Sequence, residues 1–210
     1  MNRRSILHSA LYLGAFLAFS TFGGLPAIAQ AVDVNAILND PEAPTSGNPA
    51  GDVTIVAFTD YNCPFCKKSS PDLERLVKTD GKIRLVYKDW PILSPASVYA
   101  AQMASAAKYQ GGYDRVHLAL MNIPGRRITS EQMLDAIKAS GVDMARLDAD
   151  LKEHADEIAA LLKRNLAQAD SMGLQGTPVY LIGPFKIAEA LDYAGFKKAV
   201  SETRLRAQER

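Results

Sequence analysis

The only two cysteines of this 210-residue chain stand a CxxC apart, in the segment Tyr61-Asn62-Cys63-Pro64-Phe65-Cys66. This spacing is typical of a redox pair or of half a zinc site, or it arises by chance, and the cell compartment helps to decide among these. A disulfide between residues this close closes too small a loop to stabilise a scaffold. We therefore expect the pair to carry chemistry and the remaining fold to position it.

The N-terminal segment has the pattern of a cleaved export signal. Arg3 and Arg4 precede an apolar run over about residues 10–28, and Ala27-Ile28-Ala29 offers the small-x-small pattern that signal peptidases cleave. Glycine and proline residues interrupt the run, which favours cleavage over a membrane anchor. We predict a signal peptide over residues 1–29 and export to the periplasm, by the Sec route or, because of the arginine pair, the twin-arginine route.

Charge and metal-ligand counts narrow the function further. Positive and negative residues nearly cancel, leaving a formal net charge of +1, so we expect no nucleic-acid partner. Zinc normally takes four nitrogen or sulfur ligands, and only His117 and His154 accompany the cysteines once the signal is removed. Cu(I) accepts two thiolates alone, so a copper-handling role stays open. We predict neither a resident metal nor an organic cofactor.

The residues that flank the cysteines predict a βαβ unit. Val53–Phe58 is a nearly continuous apolar, β-branched run, typical of a strand buried on both faces. Pro64 suits the first turn of a helix that ends at Asp80-Gly81, and Pro71 should kink that helix. Ile83–Lys88 predicts a second strand, parallel to the first because a crossover helix joins them. The CxxC segment therefore lies at a strand-to-helix junction.

Two other segments differ in character. Residues 30–51 have weak helical character over Val34–Leu38 and then a high density of proline and glycine, which predicts an irregular lead-in. Residues 94–172 carry helical patterns almost throughout, and Thr129 begins the S/T-x-x-Q spacing of a capping box. We predict that this second segment forms a helical subdomain inserted into the α/β unit.

The C-terminal part completes the predicted sheet. Val179–Ile182 and Phe185–Ile187 predict a hairpin, and Asp192 can cap a final helix. The predicted fold class is α/β, with a lead-in, a core domain in two segments, and the helical insertion between those segments. The boundaries are residues 30–51 for the lead-in, 52–93 and 173–210 for the core, and 94–172 for the insertion.

Two motifs in this order resemble the thioredoxin fold in its DsbA-type form. They are Cys63-Pro64-Phe65-Cys66 at the start of a helix and Gly176-Thr177-Pro178-Val179 before a hairpin. Two separated motifs are more specific than a lone CxxC. Over about residues 52–200 the chain is similar to periplasmic DsbA-like thiol:disulfide oxidoreductases of the ScsC and Com1 kind. The resemblance implies a thioredoxin fold with an inserted helical subdomain.

The resemblance also implies roles for individual residues. Cys63 would be the nucleophile, because free backbone N–H groups and the helix dipole favour a thiolate at a helix N-terminus. Cys66 would be the resolving thiol. Thr177-Pro178 would be a cis peptide facing the pair, with Pro178 in the catalytic set and Thr177 offering backbone hydrogen bonds to an extended client.

Two positions depart from the family's pattern. Ala57 stands where many relatives carry a buried glutamate, so a proton-relay carboxylate is not carried over. Phe65 stands where the DsbA protein has histidine, and it contributes neither a charge nor a hydrogen bond. We expect Cys63 to be acidified, but less than in the family's namesake, whose thiol pKa is about 3.5. We expect Pro64 and Phe65 to contact the client.

The roles of four neighbours stay open from the sequence. Tyr61 and Trp90 either flank the client groove or fill the core, and partly buried filling is the commoner use of such residues. Lys67 and Lys68 either help to stabilise the thiolate or remain solvated.

The sequence therefore predicts an exported thiol:disulfide oxidoreductase that forms, reduces or isomerises disulfides in periplasmic proteins. Its expected partners are cysteine-containing exported proteins and a membrane or periplasmic redox partner that recycles the pair. Oxidase activity is favoured over isomerase or reductase activity, and the oligomeric state stays open. The alternative from another class is a non-catalytic copper- or client-binding module that uses the same CxxC.

Overall fold

The computed structural model describes residues 32–209. The predicted signal peptide, its cleavage site and its arginine pair lie outside these residues. Within them, no helix combines the length and the apolar character that crossing a membrane requires.

Five strands form one mixed sheet in the order β1-β3-β2-β4-β5. β2 and β3 are parallel, from Val53 opposite Ile83 to Thr59 opposite Asp89, whereas the other neighbouring pairs are antiparallel. The predicted parallel βαβ unit is therefore confirmed, and the buried strand β2 lies at the centre of the sheet. The strands are Thr45–Gly47 (β1), Val53–Thr59 (β2), Ile83–Asp89 (β3), Val179–Ile182 (β4) and Phe185–Ile187 (β5).

Helices occupy most of the remaining described chain. They are Val34–Leu38 (α1), Pro64–Asp80 (α2), Pro95–Ala107 (α3), Tyr113–Met121 (α4), Ser130–Ala139 (α5), Met144–Glu153 (α6), Ala155–Ser171 (α7) and Tyr193–Gln208 (α8), with a 3-10 turn at Lys108–Gln110. Five of them, α3 to α7, separate β3 from β4 along the chain, in the segment predicted to be helical. The division of this segment into a subdomain with boundaries at residues 94 and 172 stays a prediction. The order of elements is that of the DsbA-type thioredoxin fold.

Local signals account for where several helices begin and end. The Thr129 hydroxyl accepts from the Gln132 N–H and the Gln132 carboxamide oxygen accepts from the Thr129 N–H, so the predicted capping box is confirmed. The Asp192 carboxylate caps α8 through one hydrogen bond, which it accepts from the Gly195 N–H. Gly81 ends α2 in the left-handed conformation, at a φ of 70°, that glycine adopts without steric cost.

The lead-in is more ordered than the sequence predicted. Thr45–Gly47 adds β1 to the outer edge of β3, so an irregular lead-in is wrong for this stretch. The reason is that a three-residue strand is too short to show alternation, and its hydrogen-bond partners are supplied by β3. Helix α1 is confirmed, and its Ile37 is buried in the core.

Alternate side chains of β2 enter two apolar layers, one on each face of the sheet. Ile55 and Ala57 point into the layer that includes α2, α3 and α4, and Val56 and Phe58 point into the layer that includes α1 and α7. Both faces of the central strand are thus covered, which explains why its sequence is continuously apolar. The C-terminal end of this buried strand leads directly into the CxxC segment.

Candidate active site

Cys63 begins helix α2 as its N-cap residue. Its Sγ accepts a hydrogen bond from the Cys66 N–H at 3.3 Å, and Pro64 takes the first helical position, where no N–H is needed. Both cysteines are free thiols in this structure. A short turn over residues 60–62 joins the end of β2 at Thr59 to this helix, which places Cys63 at the N-cap position.

The two thiols have opposite electrostatic surroundings. A hydrogen bond from the Cys66 thiol lowers the pKa of Cys63 to about 6, against the opposing effect of burial. Burial raises the pKa of Cys66 well above its ordinary value, and the neighbouring Cys63 raises it further. At neutral pH Cys63 is therefore a thiolate and Cys66 a protonated thiol. The pKa of Cys63 is lowered, but less than in the family's namesake, as predicted.

The Thr177–Pro178 peptide is cis and lies against the cysteines, as the resemblance implies. The Cys63 thiol donates to the Thr177 carbonyl oxygen at 3.2 Å. The Thr177 hydroxyl oxygen is buried without a hydrogen-bond partner in the described structure. Interaction with this hydroxyl lowers the pKa of both thiols, because the O–H can donate to a thiolate. Pro178 is buried.

The residues between the two cysteines are the accessible part of the segment. Phe65 is 58% exposed and Pro64 is half-buried, whereas Cys63 itself is only 2% exposed. An exposed phenyl ring next to the shielded Cys63 thiol offers apolar contact to a molecule that approaches the sulfur. The position of both residues suits the predicted client contact, which stays a prediction.

Asp60 fixes the turn that leads to Cys63. Its buried carboxylate accepts hydrogen bonds from three backbone N–H groups and one hydroxyl. The donors and distances are Asn62 N (2.7 Å), Ile92 N (2.8 Å), Leu93 N (3.0 Å) and Ser97 Oγ (2.7 Å). No role for Asp60 was predicted from the sequence. A carboxylate directly between a buried strand and the CxxC segment was the only available signal.

Asn62 is a second supporting residue that sequence reasoning missed. Its carboxamide accepts from the Ile128 N–H at 2.7 Å and donates to the Ile128 carbonyl oxygen at 3.1 Å and to the Ser94 hydroxyl at 2.7 Å. One buried side chain therefore ties the CxxC turn to two loops that are distant in sequence. These loops are the β3–α3 loop and the α4–α5 loop.

The aromatic neighbours fill the core. Tyr61 is buried and its hydroxyl lies 3.0 Å from Nδ1 of His117, while Trp90 is buried edge-on against Phe58. A role for Tyr61 or Trp90 in flanking the client groove is therefore wrong, because neither ring reaches the surface. Burial lowers the pKa of His117 to about 3, so this imidazole is neutral. Among residues 32–209, no three His, Cys, Asp or Glu side chains are grouped as a metal site would require.

Two further ionisable residues lie near the CxxC segment. Lys67 is half-buried and donates to the Ile123 carbonyl oxygen at 2.9 Å, so it is held by the α4–α5 loop instead of being freely solvated. Burial lowers its pKa. Asp89, at the end of β3, accepts from the Tyr113 hydroxyl, and burial raises the pKa of Asp89 to about 7. Lys68 is exposed, which agrees with the second of its two alternatives, a solvated lysine.

Comparisons with known proteins agree with this geometry. A family profile described as thioredoxin matches residues 39–202. A thioredoxin-like oxidoreductase from Silicibacter pomeroyi DSS-3 is 36% identical, with a TM-score of 0.76 over 82% of this chain and 98% of the other. The thiol-disulfide exchange protein alpha-DsbA2 from Wolbachia pipientis is 32% identical, with a TM-score of 0.74 over 80% and 90% of the two chains.

Two further similarities extend the comparison. The catalytic domain of Proteus mirabilis ScsC is 27% identical, with a TM-score of 0.72 over 80% of this chain and 93% of the other. A Na(+)/H(+) antiporter NhaA from Salinispora tropica is 27% identical over 74% of this chain. The chain spans only 24% of that antiporter's length. The similarity to the antiporter is therefore confined to a small part of the longer protein.

Proposed function

Because the chain belongs to the thioredoxin family and is related to the DsbA/ScsC-type thiol:disulfide oxidoreductases, we propose that it oxidises pairs of cysteines in exported proteins. The observation that carries this proposal is the contrast between the two thiols. The pKa of Cys63 is lowered and that of Cys66 is raised. Sγ of Cys63 is therefore both the nucleophile and the better leaving group of the pair.

The reaction begins with the Cys63–Cys66 disulfide. A client thiolate attacks Sγ of Cys63, the sulfur–sulfur bond breaks, and its electron pair passes to Sγ of Cys66. Cys66 then takes up a proton, in keeping with its raised pKa. A second client thiolate attacks the client sulfur of the mixed disulfide, and Cys63 leaves as a thiolate. The client is oxidised by two electrons and the CxxC pair is reduced by two.

The loop before β4 supports client binding. We assign the Thr177 backbone to hydrogen bonds with an extended client strand, as in β-augmentation, and Pro178 to the catalytic set. Pro64 and Phe65 provide apolar contact beside the target cysteine. After each turnover a membrane or periplasmic redox partner accepts the two electrons. Export through residues 1–29 belongs to the same proposal, and its support is the signal pattern in the sequence.

Oxidation is the direction that the thiol chemistry favours. A stabilised thiolate in the reduced form makes the disulfide form a stronger oxidant. A reduction potential nearer to about −120 mV than to about −270 mV supports an oxidase, because these values separate DsbA from thioredoxin. A potential near the lower value, in an oligomer, supports an isomerase or reductase instead.

The Cys66→Ser variant tests the role of Cys63. In this variant no Cys66 thiol can release a client from Cys63, and a client with a single cysteine has no second thiol that could do so. The variant should therefore trap an unfolded single-cysteine client that is supplied as a mixed disulfide with a small thiol. Cys63→Ser is the matched control and should trap none. If the folded Cys66→Ser protein traps no more client than the control does, the catalytic proposal is wrong and a metal-binding module becomes the better account.

A further inference from the structure

A cavity of about 790 Å³ opens beside the CxxC turn. One wall is the turn itself, with Asn62, Pro64 and Phe65. The β3–α3 loop supplies residues 93–96 and the α4–α5 loop supplies residues 126–129. The cavity is large enough for several side chains of a bound peptide. Three of its lining residues, Asn62, Pro64 and Phe65, lie within two positions of Cys63 in sequence.

The cavity is built and held by buried hydrogen bonds. The Asn62 carboxamide, only 7% exposed, bonds to Ser94 in one wall and to Ile128 in the other. Arg127, directly before Ile128, has a φ of 55°, a left-handed conformation that is unfavourable for a non-glycine residue. The Asn62 contacts fix the next residue, Ile128, and Arg126 and Arg127 both line the cavity.

One side of the cavity is apolar and exposed. Phe65 is 58% exposed and Leu93 is 51% exposed. Leu93 also lines a second cavity of about 590 Å³, which continues along residues 91–95 and reaches the exposed Val98. Exposed apolar side chains that are continuous and border cavities mark interaction sites more often than isolated ones do.

The other side of the cavity is positively charged. Arg126 and Arg127 are exposed and form no hydrogen bond or ion pair with any other described residue. Lys67 and Lys68 line a third cavity, of about 410 Å³, that shares Pro64 and Arg126 with the first. No acidic side chain lines any of the three cavities. This local excess contrasts with the near-neutral whole chain, whose net charge is +1.

We propose that this cavity selects client segments in which a carboxylate and an apolar side chain lie close to the reactive cysteine. The inference rests on the proposed oxidation of client cysteines and adds the substrate class. The apolar side chain packs on Phe65 and Leu93, and the carboxylate pairs with the guanidinium of Arg126 or Arg127. Guanidinium groups bind carboxylates through paired hydrogen bonds, and unpaired arginines at a rim raise the rate of encounter with an acidic partner.

Three dithiol peptides test the inference. They share one sequence with a leucine near the first cysteine and differ at a single flanking residue, which is Asp, Asn or Lys. The disulfide form of the protein is mixed with each peptide, and the second-order rate of its reduction is measured at low and high ionic strength. At low ionic strength the Asp peptide should react at least about threefold faster than the Asn peptide, with the Lys peptide slowest. High salt should reduce the differences.

Matched variants identify the groups responsible. R126Q/R127Q should remove the advantage of the Asp peptide over the Asn peptide. K152Q/K163Q makes the same change in net charge at exposed residues of α6 and α7 outside the three cavities, and should keep the advantage. Equal rates for the Asp and Asn peptides with the unaltered protein would overturn the inference. An advantage that survives in R126Q/R127Q would overturn it as well.

A neutral small dithiol separates this inference from the proposed function. If the disulfide form is reduced by the small dithiol and by the Asn peptide but shows no preference for Asp, then the exchange chemistry stands and the selection is wrong. If neither the small dithiol nor any peptide reduces the protein, the proposed function itself fails. Both arginines are exposed and unpaired in the described structure, so the variants should stay folded. Thermal unfolding of each variant checks this.

Discussion

The Sγ of Cys63 lies 3.2 Å from the carbonyl oxygen of Thr177, although 114 positions separate the two residues in sequence. The Thr177 side chain adds a buried hydroxyl that has no partner in the resting dithiol form. The Thr177 backbone carbonyl therefore accepts from Cys63 when Cys63 is a thiol, and the Thr177 hydroxyl can donate to Cys63 when it is a thiolate.

Replacing Thr177 by valine should make Cys63 less acidic. Valine keeps the shape and the backbone carbonyl but removes the hydroxyl that lowers the pKa of Cys63. A hydrogen bond to a charged group contributes about 1.5–3 kcal/mol, so the pKa of Cys63 should rise from about 6 to about 7 or above. Alkylation of the reduced protein by iodoacetamide across pH gives this value. Thr177→Ser keeps the hydroxyl and should stay near the original pKa, and an unchanged pKa in Thr177→Val would contradict the assignment.

The stability of the reduced protein should depend on pH through Cys63. Its pKa is about 6 when folded and about 8.5 in an unfolded chain. A lowered folded-state pKa gives stability that is fully present above the unfolded value and is lost as pH falls toward the folded value. From about pH 6 to about pH 8.5, the free energy of unfolding of the reduced form should rise relative to that of the disulfide form.

Urea denaturation of both redox forms at several pH values measures this difference. The rise should approach about 3 kcal/mol, because each pKa unit corresponds to about 1.36 kcal/mol. In Cys63→Ser the pH dependence over this range should be lost. The difference in free energy of unfolding between the reduced and disulfide forms should therefore change between about pH 6 and about pH 8.5. If it stays constant in the native sequence, Cys63 is not a thiolate in the folded protein.

Removing the Asp60 carboxylate should destabilise the protein strongly. Asp60→Ala removes the shared acceptor of four donors, and it leaves the Asn62 and Leu93 N–H groups without another acceptor. The Ile92 N–H also donates to the Trp90 carbonyl oxygen, and the Ser97 hydroxyl also lies 3.0 Å from the Ser94 hydroxyl. We expect a loss of about 3–5 kcal/mol in the free energy of unfolding. Ser97→Ala removes only one of these donors and should cost about 1 kcal/mol. Chemical denaturation compares the two variants. Similar losses in both would mean that the carboxylate does not organise the turn.

The buried ion pair at the lead-in should control acid stability. Asp40 accepts from Lys88 at 2.7 Å and from two nitrogens of Arg164 at 2.9 and 3.0 Å. Burial alone would raise the pKa of Asp40, but the hydrogen bonds from Arg164 and Lys88 outweigh it and lower the pKa to about 2. The stability this carboxylate contributes is therefore present above about pH 4 and is lost as pH falls through about 2.

Lys88→Met tests this ion pair by removing one cation from Asp40. The variant should lose about 3 kcal/mol at neutral pH and should begin to unfold at a higher pH on acidification, because the pKa of Asp40 rises. Lys163→Met, at an exposed lysine of α7, is the control and should follow the unaltered protein. Acid unfolding followed by circular dichroism measures both. Coincident acid transitions in the two variants would show that Lys88 does not stabilise the Asp40 carboxylate.

The elements around the CxxC segment could be predicted because their signals are local. The apolar run of β2, the proline at position 64 and the capping box at Thr129 each depend on residues a few positions apart. The roles expected for Thr177 and Pro178 came from the resemblance, and the structure confirms the cis peptide and its proximity to Cys63.

The contacts that sequence reasoning missed join residues far apart in the chain. Asn62 and Ile128 are 66 positions apart, and Asp40 and Arg164 are 124 apart. No periodicity or motif indicates such pairs, because either residue alone is typical of a loop or a helix surface. Strand β1 was missed for a related reason, since its three residues form a strand only by pairing with β3.

The sheet has a three-residue strand at each edge, β1 on one side and β5 on the other. A long open edge would offer unpaired N–H and C=O groups to any extended polypeptide and could act as a template for aggregation. This hazard is greatest for a protein that meets unfolded chains at high local concentration. The short edges limit such templating, and under the proposed function the Thr177 loop beside Cys63 is the place where we expect an extended client to bind.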